Sequence, residues 1–238
     1  MNGVIAGISY RALLGRRRIW LLALLPVVLL GLAVLLRAVG ADGERATVQL
    51  LQNFAIGVML PLLGLIAGTG VIAPEIDDGT IIHLLAKPIS RPVIAQTKFL
   101  VAASVVAAFA TVPTFLAAYL LVGLESGVAA GFALGALIGG VAYAAVFMLL
   151  GVVTRHAVTV GIAYAVIWEG LVGNLVPGAR RFSIQQWAQT VADQISSSAF
   201  LTTGIGLGFA ATALAVVTVG GVVWAGQRLR SFSLTGDE

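Results

Sequence analysis

PEIDDGTIIHLLAKPISRPVIAQTK, residues Pro74 to Lys98, is the one polar stretch of any length between two long apolar runs. Asp78-Gly79-Thr80 makes a turn with a ready helix N-cap, and Ile81, Ile82, Leu84 and Leu85 then give about two turns of apolar-faced helix. Lys87-Pro88 ends that helix, because proline holds the preceding residue out of the α region. Ser90 caps a second helix that tolerates Pro92 in its first turn and runs on into the next apolar segment. A solvated loop accounts for Glu75, Asp77 and Asp78 but not for four large apolar residues between two stop signals. The stretch therefore reads as a docking surface slung between two membrane spans.

Composition sets the frame around it. Of 238 residues, 59% are hydrophobic and only 10% are charged, and the mean hydropathy is +1.04. A soluble domain of this size keeps more charge, so the chain is expected to be an all-α integral membrane protein. The absence of cysteine excludes disulfides and thiolate metal sites. The net charge of +4 is no nucleic-acid footprint, since the basic residues sit at the ends of apolar runs rather than in one stripe. Arginine outnumbers lysine twelve to two among residues rich in Ala, Gly and Val, a bias suggestive of a GC-rich genome.

Outward from the opening stretch, the apolar runs predict six spans within one domain, residues 1–238. Their expected bounds are 19–39, 53–73, 99–124, 128–153, 157–176 and 199–225. The first, at 1.5 Å per residue, reaches roughly 31 Å, enough to span and too long for the core of a cleaved signal. Before it, Met1 to Gly15 places Val4, Ile5, Ile8 and Ala12 together and suits a short helix in the membrane interface. Ala41 to Gln52 reads as a polar loop, Pro113 as a kink in the third span, and Gly123 to Gly127 and Thr154 to His156 as tight turns. Ten Lys or Arg fall on the side of the termini and the opening stretch, against Arg37, Arg45, Arg180 and Arg181 on the other. That bias places both termini and the docking stretch in the cytoplasm.

Glycines mark the expected close contacts. Gly57, Gly64 and Gly68 share a face of the second span, Gly131, Gly135 and Gly139 recur every four residues in the fourth, and Gly204 and Gly208 do so in the sixth. In the outer loop, Ser183 and Gln186 form an S-x-x-Q capping box, with Phe182 and Trp187 as a staple. Ile184, Trp187, Val191 and Ile195 line one side of the helix that follows, and Gln185, Gln189, Asp193 and Gln194 lie away from it. This is an amphipathic outer helix, lying in the headgroups or folded back on the bundle, as a gate or as a passive cover.

Glu169 is the only acid well inside a span, and a carboxylate there is a functional candidate because its charge is expensive. It lies beside Trp168 and within reach of Arg180 or Arg181, so a structural ion pair and a pathway residue both stay open. Neither His83 nor His156 has a second ligand by spacing, and no metal site is expected. The two lysines precede Pro88 and Phe99, so the P-loop G-x-x-x-x-G-K-[ST] is absent, as are G-x-S-x-G and H-E-x-x-H. The chain is therefore not expected to be an enzyme.

Pro74-Glu75-Ile76-Asp77-Asp78-Gly79-Thr80, followed by Leu84-Leu85-Ala86-Lys87-Pro88-Ile89-Ser90-Arg91, resembles the E-x-x-x-G-T…LL-x-x-P-x-S-R signature of ABC-2 type permeases. The six-span layout, Trp168-Glu169 and Pro177-Gly178…Ser183-Ile184 are similar to that family too. The resemblance implies a permease subunit of an ABC exporter in a bacterial cytoplasmic membrane. It would pair with a second permease, identical or homologous, and with two separate ATP-binding subunits that carry ATP and Mg. Glu75, Asp78, Gly79, Thr80, Ile81, Leu84, Leu85 and Arg91 would then belong to the coupling region seated on the ATPase, and Met1 to Gly15 to an elbow helix. An ion-coupled carrier using Glu169 and a non-transporting membrane scaffold are the alternatives.

Overall fold

In the computed structural model, residues 3–73, 75, 91–172, 178–196 and 198–230 are described, and among them there is no strand. Helix α1 spans Gly3–Leu13 and α2 spans Arg16–Ala38. They are followed by α3 at Glu44–Gly70, α4 at Arg91–Val122, α5 at Val128–Val153 and α6 at Ala157–Val172. A short 3₁₀ turn, Ala179–Phe182, leads into α7 at Ile184–Ile195, and α8 at Leu207–Arg230 closes the order. Among the described residues five helices are long and apolar enough to cross a membrane, namely α2, α3, α4, α5 and α8; α6 is described as far as Val172, and the remainder of the expected 157–176 lies outside the described residues.

Span boundaries differ from expectation where helix extends past the apolar run. The second begins at Glu44 rather than residue 53, with Gly43 as its N-cap, an acid in its first turn and Thr47 and Val48 buried beneath it. The helix of the third span runs from Arg91, as expected for the helix capped at Ser90, so Lys98, just before the apolar run, lies about two turns inside α4. The last begins at Leu207, because 201–206 is irregular and leaves Gly204 outside the helix.

Helix α5 is the hub, packed against α3, α7 and α8, while α2 lies along the second half of α4. Fully buried Phe132, Tyr143 and Phe147 on α5 fill the centre. Three stretches inside the long helices, Leu51–Met59, Ala107–Thr111 and Tyr164–Val172, widen to π-helical bonding. The first two stop just before Pro61 and Pro113. A proline cannot donate to the carbonyl four residues back and its ring crowds that carbonyl, so a widened turn before it relieves both problems. The expected disturbance at Pro113 is thus a π stretch, and Pro61 has a matching one.

Two of the three glycine stripes make the contacts their spacing implies. A Cβ on Gly64 would sit 2.6 Å from the Tyr143 Cβ, and one on Gly68 would sit 2.8 Å from the Phe147 Cβ, so α3 lies hard against α5. The stripe on α5 faces α7 instead of another span. A Cβ on Gly131 would come 2.6 Å from the Ala192 oxygen, and one on Gly135 2.5 Å from the Ala188 oxygen. Gly204 and Gly208 have nothing within 4 Å, so the third stripe makes no such contact. Gly127 starts α5 with φ at +68°, in the left-handed region glycine tolerates best, as the expected tight turn requires.

On the elbow helix α1 the apolar residues expected to lie together are divided between a buried and an exposed side. Ile5, Ala6, Ser9 and Leu13 are buried, whereas Ile8 and Ala12 are exposed. Leu13 seats on Gly70, and the Tyr10 hydroxyl meets the Ser104 hydroxyl at 2.6 Å. Both faces are apolar, as suits a helix with bundle on one side and lipid on the other.

Candidate functional sites at the two ends of the bundle

The end of α3 leaves backbone carbonyls without helical partners, and two cations take them. Arg18 Nη1 donates to the Gly70 oxygen at 3.1 Å, and Lys98 Nζ donates to the Val71 oxygen at 2.6 Å. The same ammonium donates to Glu75 Oε1 at 2.6 Å, an ion pair whose lysine side chain is 1% exposed and whose glutamate side chain is 25% exposed. Arg91, at the start of α4, donates through Nη1 to the Leu229 oxygen near the end of α8 at 3.0 Å. The expected coupling residues Asp78, Gly79, Thr80, Ile81, Leu84 and Leu85 lie outside the described residues. The two that are described, Glu75 and Arg91, are thus fastened on either side of that segment to different helices.

At the opposite end, Glu169 is 1% exposed. Its Oε1 accepts from the Tyr164 hydroxyl at 2.9 Å and from the Ile184 amide at 3.1 Å, and its Oε2 accepts from the Ser183 hydroxyl. Ser183 also caps α7 as expected, accepting from the Gln186 amide at 3.2 Å. The fully buried Tyr143 hydroxyl lies beside the same carboxylate. The indoles of Trp168 and Trp187 donate to the Phe182 and Arg181 oxygens at 3.2 and 2.9 Å, pinning the turn that leads into α7. Arg180 and Arg181, the partners in one of the two readings of what Glu169 serves, are exposed on that turn.

Helix α7 is folded against the bundle, packed on α5 and α8. Gln185 and Gln189, expected to point away, are buried, and Ile195, expected to face inward, is 40% exposed. The reason is that a second polar surface waits inside. Gln189 and Gln52 exchange hydrogen bonds at 3.1 and 3.3 Å, and the Gln185 amide lies against Gly57. Phe182 is left 63% exposed, so the expected staple does not close over it; Trp187 instead packs edge-on to Phe209, ring centres 6.5 Å apart. Near this layer a groove of about 380 Å³ opens between the π stretches of α3 and α6, lined by Gly57, Val58, Pro61, Val166 and Leu171. Its walls are apolar. Among the described residues no group of three His, Cys, Asp or Glu could hold a metal ion.

The family model described as ABC-2 family transporter protein matches residues 14–177, more than half of the chain. The chain belongs to the ABC-2 transporter family. No curated protein matches it. The match takes in the signature stretch and Glu169 of this ABC-2 permease, and it ends before α7. The helix that buries Glu169 thus lies outside the matched region.

Sequence reasoning missed Lys98 and Tyr164. Lys98 counts among the flanking cations because it precedes the apolar run, although the helix capped at Ser90 already contains it; its burial follows from contacts with Val71 and Glu75 that no sequence period carries. Tyr164 was invisible to α-helical periodicity, which sets residues five apart on different faces. In the π stretch Tyr164–Val172 the backbone bonds run five residues, which brings the hydroxyl over the carboxylate.

Proposed function

We propose that this ABC-2 permease is the translocating subunit of an ABC exporter, driven by ATP hydrolysis on a separate ATP-binding subunit that docks on the segment between Glu75 and Arg91. The observation that carries the reading is the pair of anchors at that segment's borders. Glu75 is tied through Lys98 to α3 and α4, and Arg91 is tied to the end of α8. A surface that receives force from a partner needs such ties, and Ile81, Ile82, Leu84 and Leu85 supply the apolar contact. In this reading both termini and the docking segment are cytoplasmic, by the bias of basic residues. ATP and Mg belong to the partner, since the chain has no P-loop. Two permeases and two ATP-binding subunits complete the assembly, and the apolar groove between α3 and α6 is a stretch of the path for an apolar substrate. The bonds around Glu169 come from fixed hydroxyls and a backbone amide, which favours an anchoring role for it over ion coupling.

Co-purification with the ATP-binding subunit tests this. Burying a leucine side chain contributes about 1.5–3 kcal/mol, so removing two from a partner groove weakens the complex by roughly a hundredfold or more. Leu84→Asp with Leu85→Asp should leave the protein inserted and folded but without its ATPase, and a reporter fused after Arg230 should read cytoplasmic. Retention of the ATPase at the parent stoichiometry, or an external C-terminus, would overturn the assignment.

A further inference from the structure

Lys98 has no role in the reading above beyond its contacts, yet it is the one cation wholly buried among the described residues. Burying an ion pair is costly, and an apolar side chain of similar length usually serves stability as well or better. What a buried pair supplies in exchange is position, because its short directed bonds tolerate little displacement. Here those bonds join three points. The Lys98 ammonium holds the Val71 oxygen just past the end of α3 and the Glu75 carboxylate, while its own stem grows from α4. Arg18 on α2 braces the neighbouring Gly70 oxygen, so the turn is held between two cations.

We propose that the Glu75–Lys98 pair is the joint that passes displacement of the docking segment into α3 and α4 together, with Lys98 as its positioning residue. The proposal rests on the permease reading above. Displacement at Glu75 pulls on α4 directly through the ammonium and on α3 through the shared Val71 contact. The two helices therefore move as a pair. Helix α3 carries one wall of the apolar groove, so motion at the joint reaches the groove along a continuous helix.

The chain has no cysteine, which allows a clean labelling experiment. Asn53→Cys on α3 and Ile167→Cys on α6, both exposed, take spin labels either side of the groove. The complex with the ATP-binding subunit, in lipid nanodiscs, is measured by electron–electron double resonance with and without Mg·ATP and vanadate. In the parent the inter-label distance should shift on nucleotide trapping. In Lys98→Met the ATP-binding subunit should still co-purify, because Lys98 is buried away from any docking surface, and the shift should be lost. Should Lys98→Met fail to fold, Lys98→Met with Glu75→Gln removes both charges and should fold with the shift still absent. A shift that persists in either variant, with only the melting temperature lowered, would show a purely structural pair and overturn the proposal. Loss of the ATP-binding subunit from Lys98→Met would overturn it too, by making the pair part of the docking surface. A parent that carries its ATP-binding subunit yet shows no shift overturns the joint alone, whereas a parent that binds none overturns the permease reading and the joint together.

Discussion

Two carboxylates in one membrane bundle, Glu75 part-buried and Glu169 buried, are stabilised in opposite ways. Glu75 meets a lysine, and Glu169 meets two hydroxyls and a backbone amide. The difference follows from which end of a helix each one serves. At the end of α3 the free groups are carbonyls, which call for cations; Lys98 answers, and a buried ammonium then needs a carboxylate of its own. At the start of α7 the free groups are amides, which call for an anion, and Glu169 satisfies one of them. A buried acid in a span is thus not by itself a mark of ion coupling. The helix terminus beside it decides what partner it needs.

The largest test of this contrast is at the ion pair. Glu75→Gln strands an ammonium that has no route to water, whereas Lys98→Met leaves a carboxylate that is partly solvated. Removing one partner of a buried pair costs about 3–5 kcal/mol. Glu75→Gln should approach that figure, and Lys98→Met should cost clearly less, measured by thermal unfolding in one detergent. The reverse order would mean that the carboxylate is the more deeply buried partner.

A smaller effect is expected at the other acid. Glu169→Gln keeps the shape but faces donors with an amide that can accept at only one end. Hydrogen bonds to charged groups contribute about 1.5–3 kcal/mol each, and a partial loss should lower stability by about 2 kcal/mol. Hydrogen exchange should rise at the first turn of α7, where Ile184 donates to the carboxylate. Unchanged exchange there would remove Glu169 as the anchor of α7.

The smallest effect sharpens the same point through packing. Gly135→Ala would push a methyl to within 2.5 Å of the Ala188 oxygen and lift α7 from α5. Overpacking of this kind costs about 1–3 kcal/mol. Gly208→Ala meets nothing within 4 Å and sits in a helix, so it should be neutral or stabilise by up to about 1 kcal/mol. Combined with Glu169→Gln, Gly135→Ala should be non-additive, because both variants disturb the seating of α7. Strict additivity would separate the carboxylate from that seating.

Much of the bundle was legible beforehand. The fourth span matched its expected bounds, the Ser183 cap formed, and Gly64 and Gly68 were found in contact. The misread outer helix has a tertiary cause. Gln185 and Gln189 look like a solvent face on a helical wheel, and they are buried because Gln52 and Gly57 on α3 offer a polar, open surface to receive them. Likewise the α5 stripe announced a close neighbour without saying which.

Sequence alone determined that the chain is helical and membrane-embedded, where its turns fall, which end of the bundle is basic, and that the signature stretch lies between two spans. These properties depend on local composition and on the period of a single helix. Only the tertiary structure decided that α7 lies against the bundle, that Lys98 reaches back to Glu75, and that Glu169 caps a helix across the chain. Those depend on which surfaces meet. A hydrogen bond between residues far apart in sequence leaves no period in either segment, and a π stretch rotates side chains off the period that sequence reading assumes.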